Sequence, residues 1–209
     1  MTRIAIVDYG MGNLESVRNA LAFLGYDAAV SCDAEEIAAA DGYILPGVGA
    51  YGLAIENLRK RNLIGVLNDV VLVRKKPILG ICLGMQLMAQ SSSEMGFHVG
   101  LGWMNAEVTH IEPRMNLKVP HVGWNDVRIG MDNVLFRNLP SNTHFYFDHS
   151  YHVVCGADTI AATCIYGSPL VAAIQQDNIC ATQFHPEKSQ TAGLRLLRNF
   201  LNFVEMRKC

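Results

Sequence analysis

The sequence predicts an α/β fold: an open, mixed, mostly parallel sheet flanked by helices, with antiparallel β additions in the C-terminal half. Three observations predict it. Up to about residue 90, short apolar runs alternate with amphipathic helical stretches, the pattern of βαβ units. After Gly100, short strand-like runs dominate. The chain then closes on one amphipathic helix. A length of 209 residues, half of them hydrophobic, suits a single domain over 1–209 with a large core.

The first strand is RIAIVD (3–8). After the turn YGMG comes a helix with Asn13 at its cap, Glu15 in its first turn, and Leu14, Val17, Leu21 and Leu24 on one face. Gly25 stops it. Residues 28–32 read as a second strand, and Asp33 caps a short helix through Ala40. GYILP (42–46) is a third strand, followed by PGVG and helical stretches across 52–73. Pro77 to Ile81 makes a fourth strand and Leu83 to Gln90 a helix. In the second half, strand-like runs cover 106–112, 124–129, 144–153, 159–166, 170–175 and 178–184, with a hairpin turn at Asp177-Asn178. The last helix spans 191–206, with Leu194, Leu197, Leu201 and Val204 as its apolar stripe.

A net charge of −2 gives no electrostatic case for nucleic acid or an anionic membrane. The apolar stretch in MTRIAIVDYG is too short for a signal peptide or a membrane span. Six cysteines without a CxxC pair (Cys32, Cys82, Cys155, Cys164, Cys180, Cys209) read as reduced thiols, mostly buried, and the expected location is the cytoplasm.

One cysteine stands apart. Gly80-Ile81-Cys82-Leu83-Gly84 places a cysteine between glycines where a strand turns into a helix. Such a turn pushes one side chain outward, and the amides that open the helix favour a thiolate and can stabilise an oxyanion. A packed core cysteine is the alternative for the pentapeptide alone. A nucleophile also needs a base and an orienting group. TQFHPEKS (182–189) supplies both: Pro186 biases His185 to extended geometry, and side chains two apart in an extended segment point the same way. Glu187 then fixes the imidazole tautomer. His98, His110, His121 and His144 lack a carboxylate partner at a telling spacing, and His149 and His152 face opposite sides of one strand. Without CxxC, HExxH or a clustered Asp/Glu/His set, no metal and no cofactor is expected.

Gly47-Val48-Gly49-Ala50-Tyr51-Gly52 spells G-x-G-x-x-G, the dinucleotide fingerprint. It follows the third strand rather than the first, and Asp69, near the required offset, sits within a helix. The preferred reading is an oxyanion loop, with a nucleotide site as its rival.

PGVGA, GICLGMQ and QFHPEKS, in that order and spacing, resemble the class I (triad) glutamine amidotransferases over essentially the whole chain. The resemblance implies a Cys82–His185–Glu187 triad, oxyanion donors at Leu83 and in Val48–Gly49, glutamine contacts from Gln86 and Glu94, and an α-carboxylate contact from His149-Ser150-Tyr151. VDYGMGNL, VPHVGWN, FYFDHSY and HPEKSQ are similar to the glutaminase subunits of imidazole glycerol phosphate synthases. That implies L-glutamine as substrate and a heterodimer with a (βα)8-barrel cyclase, to which ammonia is channelled for histidine biosynthesis. Trp124, Asn125, Tyr146 and Lys188 match positions near that interface; core packing or a solvated charge is the alternative for each. Asp148, where the family pattern has an aliphatic residue, and Leu101-Gly102-Trp103-Met104-Asn105 depart from the pattern. They leave open a paralogous subunit that feeds a sugar-modifying synthase of surface polysaccharide. More distant rivals are a stand-alone cysteine hydrolase and a nucleotide-binding module.

Overall fold

The computed structural model describes residues 2–113, 117–130 and 133–208. The first half runs β1 (Ile4–Val7), α1 (Leu14–Phe23), β2 (Ala28–Ser31), α2 (Ala34–Ala39), β3 (Gly42–Gly47), α3 (Tyr51–Lys60), α4 (Leu63–Asn68), a π-helical turn (Asp69–Val73), β4 (Ile78–Cys82) and α5 (Leu83–Leu87). The second half is almost all strand: β5 (Ser91–Ser92), β6 (His98–Val99), β7 (Ala106–His110), β8 (His121–Ile129), β9 (Asn142–His149), β10 (Tyr151–Cys155), β11 (Ile160–Tyr166), β12 (Ser168–Gln176) and β13 (Ile179–Thr182). Helix α6 (Gln190–Met206) closes the chain.

A nine-stranded sheet has the order β2-β1-β3-β4-β13-β12-β11-β8-β9. The pairings from β2 through β13 are parallel. Those from β13 to β9 are antiparallel. The mixed sheet with antiparallel additions is therefore as the sequence predicts. Period-2 burial sends alternate residues of β1 to opposite cores. Ile4 and Ile6 pack with Val17 and Leu21 of α1 and Leu197, Phe200 and Leu201 of α6. Ala5 and Val7 pack with Ile55 and Leu58 of α3, Leu67 of α4 and Met85 of α5.

Several local expectations are corrected. Asn13 precedes α1 but its side chain caps nothing, because its ψ of 60° is not the extended geometry a cap requires. Asp33, with ψ 128°, accepts from the amides of Glu35 and Glu36 as expected. Helix α5 stops at Leu87, not Gln90, because the Gln90 amide donates to the Ala106 carbonyl and carries the chain into a second sheet. That four-stranded sheet, β10-β7-β5-β6, has no counterpart in the sequence reading. It also divides the predicted strand 144–153 at Ser150: β9 pairs with β8 in the large sheet, β10 with β7 in the small one. In the departing stretch 101–105, Trp103 Nε1 donates to Asn68 Oδ1 at the end of α4, at 2.7 Å and from a buried position.

Among the described residues, Cys82, Cys164 and Cys180 are buried free thiols, Cys155 is half-buried and Cys32 exposed; Cys209 lies outside the described residues. No described helix is long and apolar enough to cross a membrane.

Candidate active site

β4 and β13 are parallel neighbours, with Ile81 opposite Thr182. Their carboxyl ends therefore bring Cys82 and the segment Gln183–Glu187 to one place. Cys82 adopts φ 53° and ψ −108°, a conformation that L-residues rarely take. The flanking glycines make the turn possible. A Cβ on Gly84 would sit 1.7 Å from the Leu45 carbonyl oxygen, and one on Gly80 would sit 2.7 Å from the Met88 side chain. The short α5 limits the helix-dipole argument, so any help to the sulfur comes from the few local amides.

A cavity of about 310 Å³ opens over Cys82. It is lined by Val48, Gly49, Leu83, Gln86, Glu94, His149, Ser150 and Tyr151, together with Pro120 and Asp148. Every residue expected to form the oxyanion site or to hold substrate thus faces one space. The G-x-G-x-x-G stretch lies on its wall and is already filled by the protein: a Cβ on Gly47 would meet Tyr9 Oη at 2.3 Å and one on Gly52 the His98 ring at 2.6 Å. Asp69 pairs with Arg74 at 2.6 Å. Nothing there is arranged for a dinucleotide.

His185 and Glu187 lie buried behind the sulfur, with His185 Nδ1 and Glu187 Oε1 2.8 Å apart. Burial pulls the His185 pKa down, but Cys82 and the Glu187 carboxylate outweigh it and push it up to about 10. The imidazole is thus held as a cation between two groups that can be anionic. Such an arrangement is suited to a cysteine nucleophile served by a histidine base and an orienting carboxylate.

One neighbour of the sulfur, Gln183, has no sequence signal. Gln183, fully buried, donates from Nε2 to Cys82 Sγ at 3.6 Å, and its Oε1 accepts from Gln86 Nε2 at 3.2 Å. Gln86 Nε2 also donates to the Tyr151 carbonyl, 2.9 Å. The Asp148 carbonyl lies 3.8 Å from Cys82 Sγ, so this departure from the family pattern meets the site through its backbone. Only its register in β9, not its residue type, places it there.

Two substrate candidates carry structural bonds as well. Glu94 Oε2 accepts from the Tyr51 amide at 2.8 Å, tying the opening of α3 to the cavity wall. Both ring nitrogens of His149 are occupied, Nδ1 by the Tyr151 carbonyl (2.9 Å) and Nε2 by His121 Nδ1 (2.9 Å). Histidines without an expected partner also prove to be paired. His144 Nδ1 meets the carboxylate of Asp126, its cross-strand neighbour, and His152 lies on β10, not on the strand of His149.

The expected interface residues divide. Trp124 is half exposed on the outer face of β8 and meets the edge of Tyr146 at a centroid distance of 6.2 Å. Lys188 Nζ lies 5.6 Å from the centre of that same ring. Asn125 points the other way, and its amide is spent on the Ile165 carbonyl, His121 and the Asp126 amide. A cavity of about 660 Å³ adjoins Trp124, between residues 139–144 and 189–195.

The model of the family "Glutamine amidotransferase class-I" matches residues 5–203. A relative named imidazole glycerol phosphate synthase subunit HisH 2, from Vibrio vulnificus (strain YJ016), is 45% identical over 99% of this chain and 97% of its own. One named imidazole glycerol phosphate synthase subunit HisH, from Moorella thermoacetica, is 46% identical over 98% of this chain and 96% of its own. Among solved structures, a glutamine amidotransferase superposes with a TM-score of 0.75 at 20% identity, covering 96% of this chain and 98% of that one, a likeness of fold.

Proposed function

The chain belongs to the class-I glutamine amidotransferase family, and on that premise we propose that it is the glutaminase subunit of an imidazole glycerol phosphate synthase. The observation that carries the reading is the convergence of Cys82, Leu83, Val48–Gly49, Gln86 and Glu94 on one cavity backed by His185 and Glu187. Full-length likeness to synthase subunits favours the histidine pathway over the sugar-modifying system, and the filled glycine loop disfavours a nucleotide module.

In the proposed reaction the Cys82 thiolate attacks the side-chain carbonyl carbon of glutamine. The oxyanion rests on the amides of Leu83 and the Val48–Gly49 segment, each donor worth on the order of 3 kcal/mol in the barrier. His185 gives its proton to the departing nitrogen, and ammonia leaves a γ-glutamyl thioester. His185 then takes a proton from water, hydroxide adds to the thioester, and the thiolate is expelled as glutamate forms. Glu187 holds the imidazole throughout. Gly49, at φ 102°, allows the peptide before it to turn cheaply, so the loop is suited to presenting its N–H only when the partner is engaged.

Ammonia released into neutral water becomes ammonium and ceases to be a nucleophile, so it must be passed on through a shielded path. The glutaminase family match takes up residues 5–203, and full-length relatives are named as synthase subunits, which supports placing the acceptor chemistry on a partner. A (βα)8-barrel cyclase is that partner, docked on the face that carries Trp124, Tyr146 and Lys188, in the cytoplasm where free thiols persist.

The test is glutamate release from glutamine by this chain alone and with the cyclase barrel and its ribonucleotide ligand. Strong stimulation by barrel and ligand is expected. Cys82→Ala should abolish release while ammonia-fed synthesis by the barrel persists; release at the unaltered rate would overturn the reading.

A further inference from the structure

His121 has no role in the reaction as described, yet it is buried and unusually well held. Its ring is stacked between Phe147 (centroids 4.6 Å, planes 21° apart) and Tyr166 (3.9 Å, 23°). Its two nitrogens belong to a chain of hydrogen bonds whose direction can be worked out from one end. The Tyr151 carbonyl can only accept, so His149 Nδ1 carries a proton and donates to it. Burial pushes the His149 pKa down to about 3, so the ring is neutral and its Nε2 is an acceptor. His121 Nδ1 must then donate to it, which leaves His121 Nε2 as an acceptor, since burial lowers its pKa to about 4. The donor that meets it, at 3.2 Å, is Asn125 Nδ2. The orientation of that amide is fixed independently. Its nitrogen also donates to the Ile165 carbonyl at 3.0 Å, and its oxygen accepts from the Asp126 amide at 2.8 Å. Every link agrees with one assignment of protons.

The chain continues inward. The Tyr151 carbonyl that His149 holds also accepts from Gln86 Nε2, Gln86 is bonded to Gln183, and Gln183 donates to the Cys82 sulfur. We propose that His121 is a positioning residue for the glutaminase reaction: locked in one tautomer, it fixes the His149 ring and the Ser150 turn against which Gln86, Gln183 and the Cys82 sulfur are aligned. The sequence feature behind it is the glycine of PHVGWN. Gly123, at φ 126°, lies between His121 and Asn125, which are four residues apart in one strand and come within hydrogen-bond distance. The inference rests on the assignment of Cys82 as nucleophile.

The first measurement is the long-range proton–nitrogen spectrum of the histidine rings in the full chain at pH 7. His121 and His149 should both appear as neutral Nδ1–H tautomers, although free imidazole side chains prefer Nε2–H. An Nε2–H tautomer at either ring overturns the proposal. The second is glutamine hydrolysis in the complex with the cyclase barrel. His121→Phe keeps the stack but removes the hydrogen bonds, and should lower turnover by about tenfold or more. His121→Asn restores an amide donor and should regain most of the loss. Unchanged turnover in His121→Phe overturns the proposal; if that variant does not fold, the tautomer measurement on the unaltered chain decides. Glutamate release by Cys82→Ala would sink the functional reading while leaving the tautomer result standing, so the two failures are distinct.

Discussion

Two pairs of buried side chains around Cys82 are treated in opposite ways by the fold. Behind the sulfur, His185 is held against the Glu187 carboxylate and its pKa is pushed up to about 10. Along the cavity wall, His149 is held against His121 and a carbonyl, and its pKa falls to about 3. Burial acts on both imidazoles in the same sense, disfavouring the cation. What differs is the partner: groups able to carry negative charge in one case, a carbonyl and a neutral imidazole in the other. On the proposed roles, one ring moves protons and the other holds a shape.

Replacing the anion should break the contrast most severely. Glu187→Gln leaves a neutral amide beside His185 Nδ1, removes the stabilisation of the imidazolium and admits the wrong tautomer. Glutamine hydrolysis should fall by about a hundredfold to ten-thousandfold, measured as glutamate release in the complex, with ammonia-fed synthesis intact.

The pH dependence of stability should sharpen it. The folded pKa of His185 lies above the ordinary value of 6.5, so its contribution is complete below about 6.5 and is lost as pH rises through about 10. The folded pKa values of His121 and His149 lie below 6.5. Their contribution is complete above 6.5 and is lost as pH falls towards about 4 and about 3. Denaturant midpoints across pH should therefore decline on both sides of neutrality. Cys82→Ala should flatten the alkaline limb, and His121→Phe the acid one.

The smallest change tests the backbone of β8 at Gly123. No heavy atom lies within 4 Å of a Cβ built on Gly123, so Gly123→Ala meets only the backbone penalty of its positive φ. The expected cost is about 1–3 kcal/mol in chemical denaturation, accompanied by loss of the His121–Asn125 bond in the imidazole spectrum.

The charged pair was legible in the sequence and the neutral one was not, for a physical reason. His185 and Glu187 are two residues apart, so the local backbone alone brings them together, although Pro186–Lys188 forms a 3-10 turn and only His185 keeps the extended geometry the sequence predicts for the segment. His121 and His149 lie opposite each other across the β8–β9 ladder, and only the register of that ladder makes them neighbours. His144 with Asp126 went unseen for the same reason. Gln183 sits at the end of β13 with no charge or spacing to mark it, although it touches the sulfur. The parallel half of the fold was readable because each strand there is a closed apolar run ending in a turn. The small second sheet was not: β5 is two serines, and β9 and β10 read as one strand until Ser150 turns the chain from one sheet into the other.

The position of β13 has a consequence for the order of events during synthesis. The strand that precedes His185 is nearly the last to be made, yet it occupies the middle of the nine-stranded sheet, between β4 and β12. A growing polypeptide therefore exposes its thiol long before any base exists to accompany it, and the gap beside β4 stays open until the C-terminal segment arrives. A chain cut short by an early stop codon or a stalled ribosome carries the cysteine but lacks its histidine. On the proposed roles such a chain lacks the base, so unfinished chains are expected to release no glutamate from glutamine.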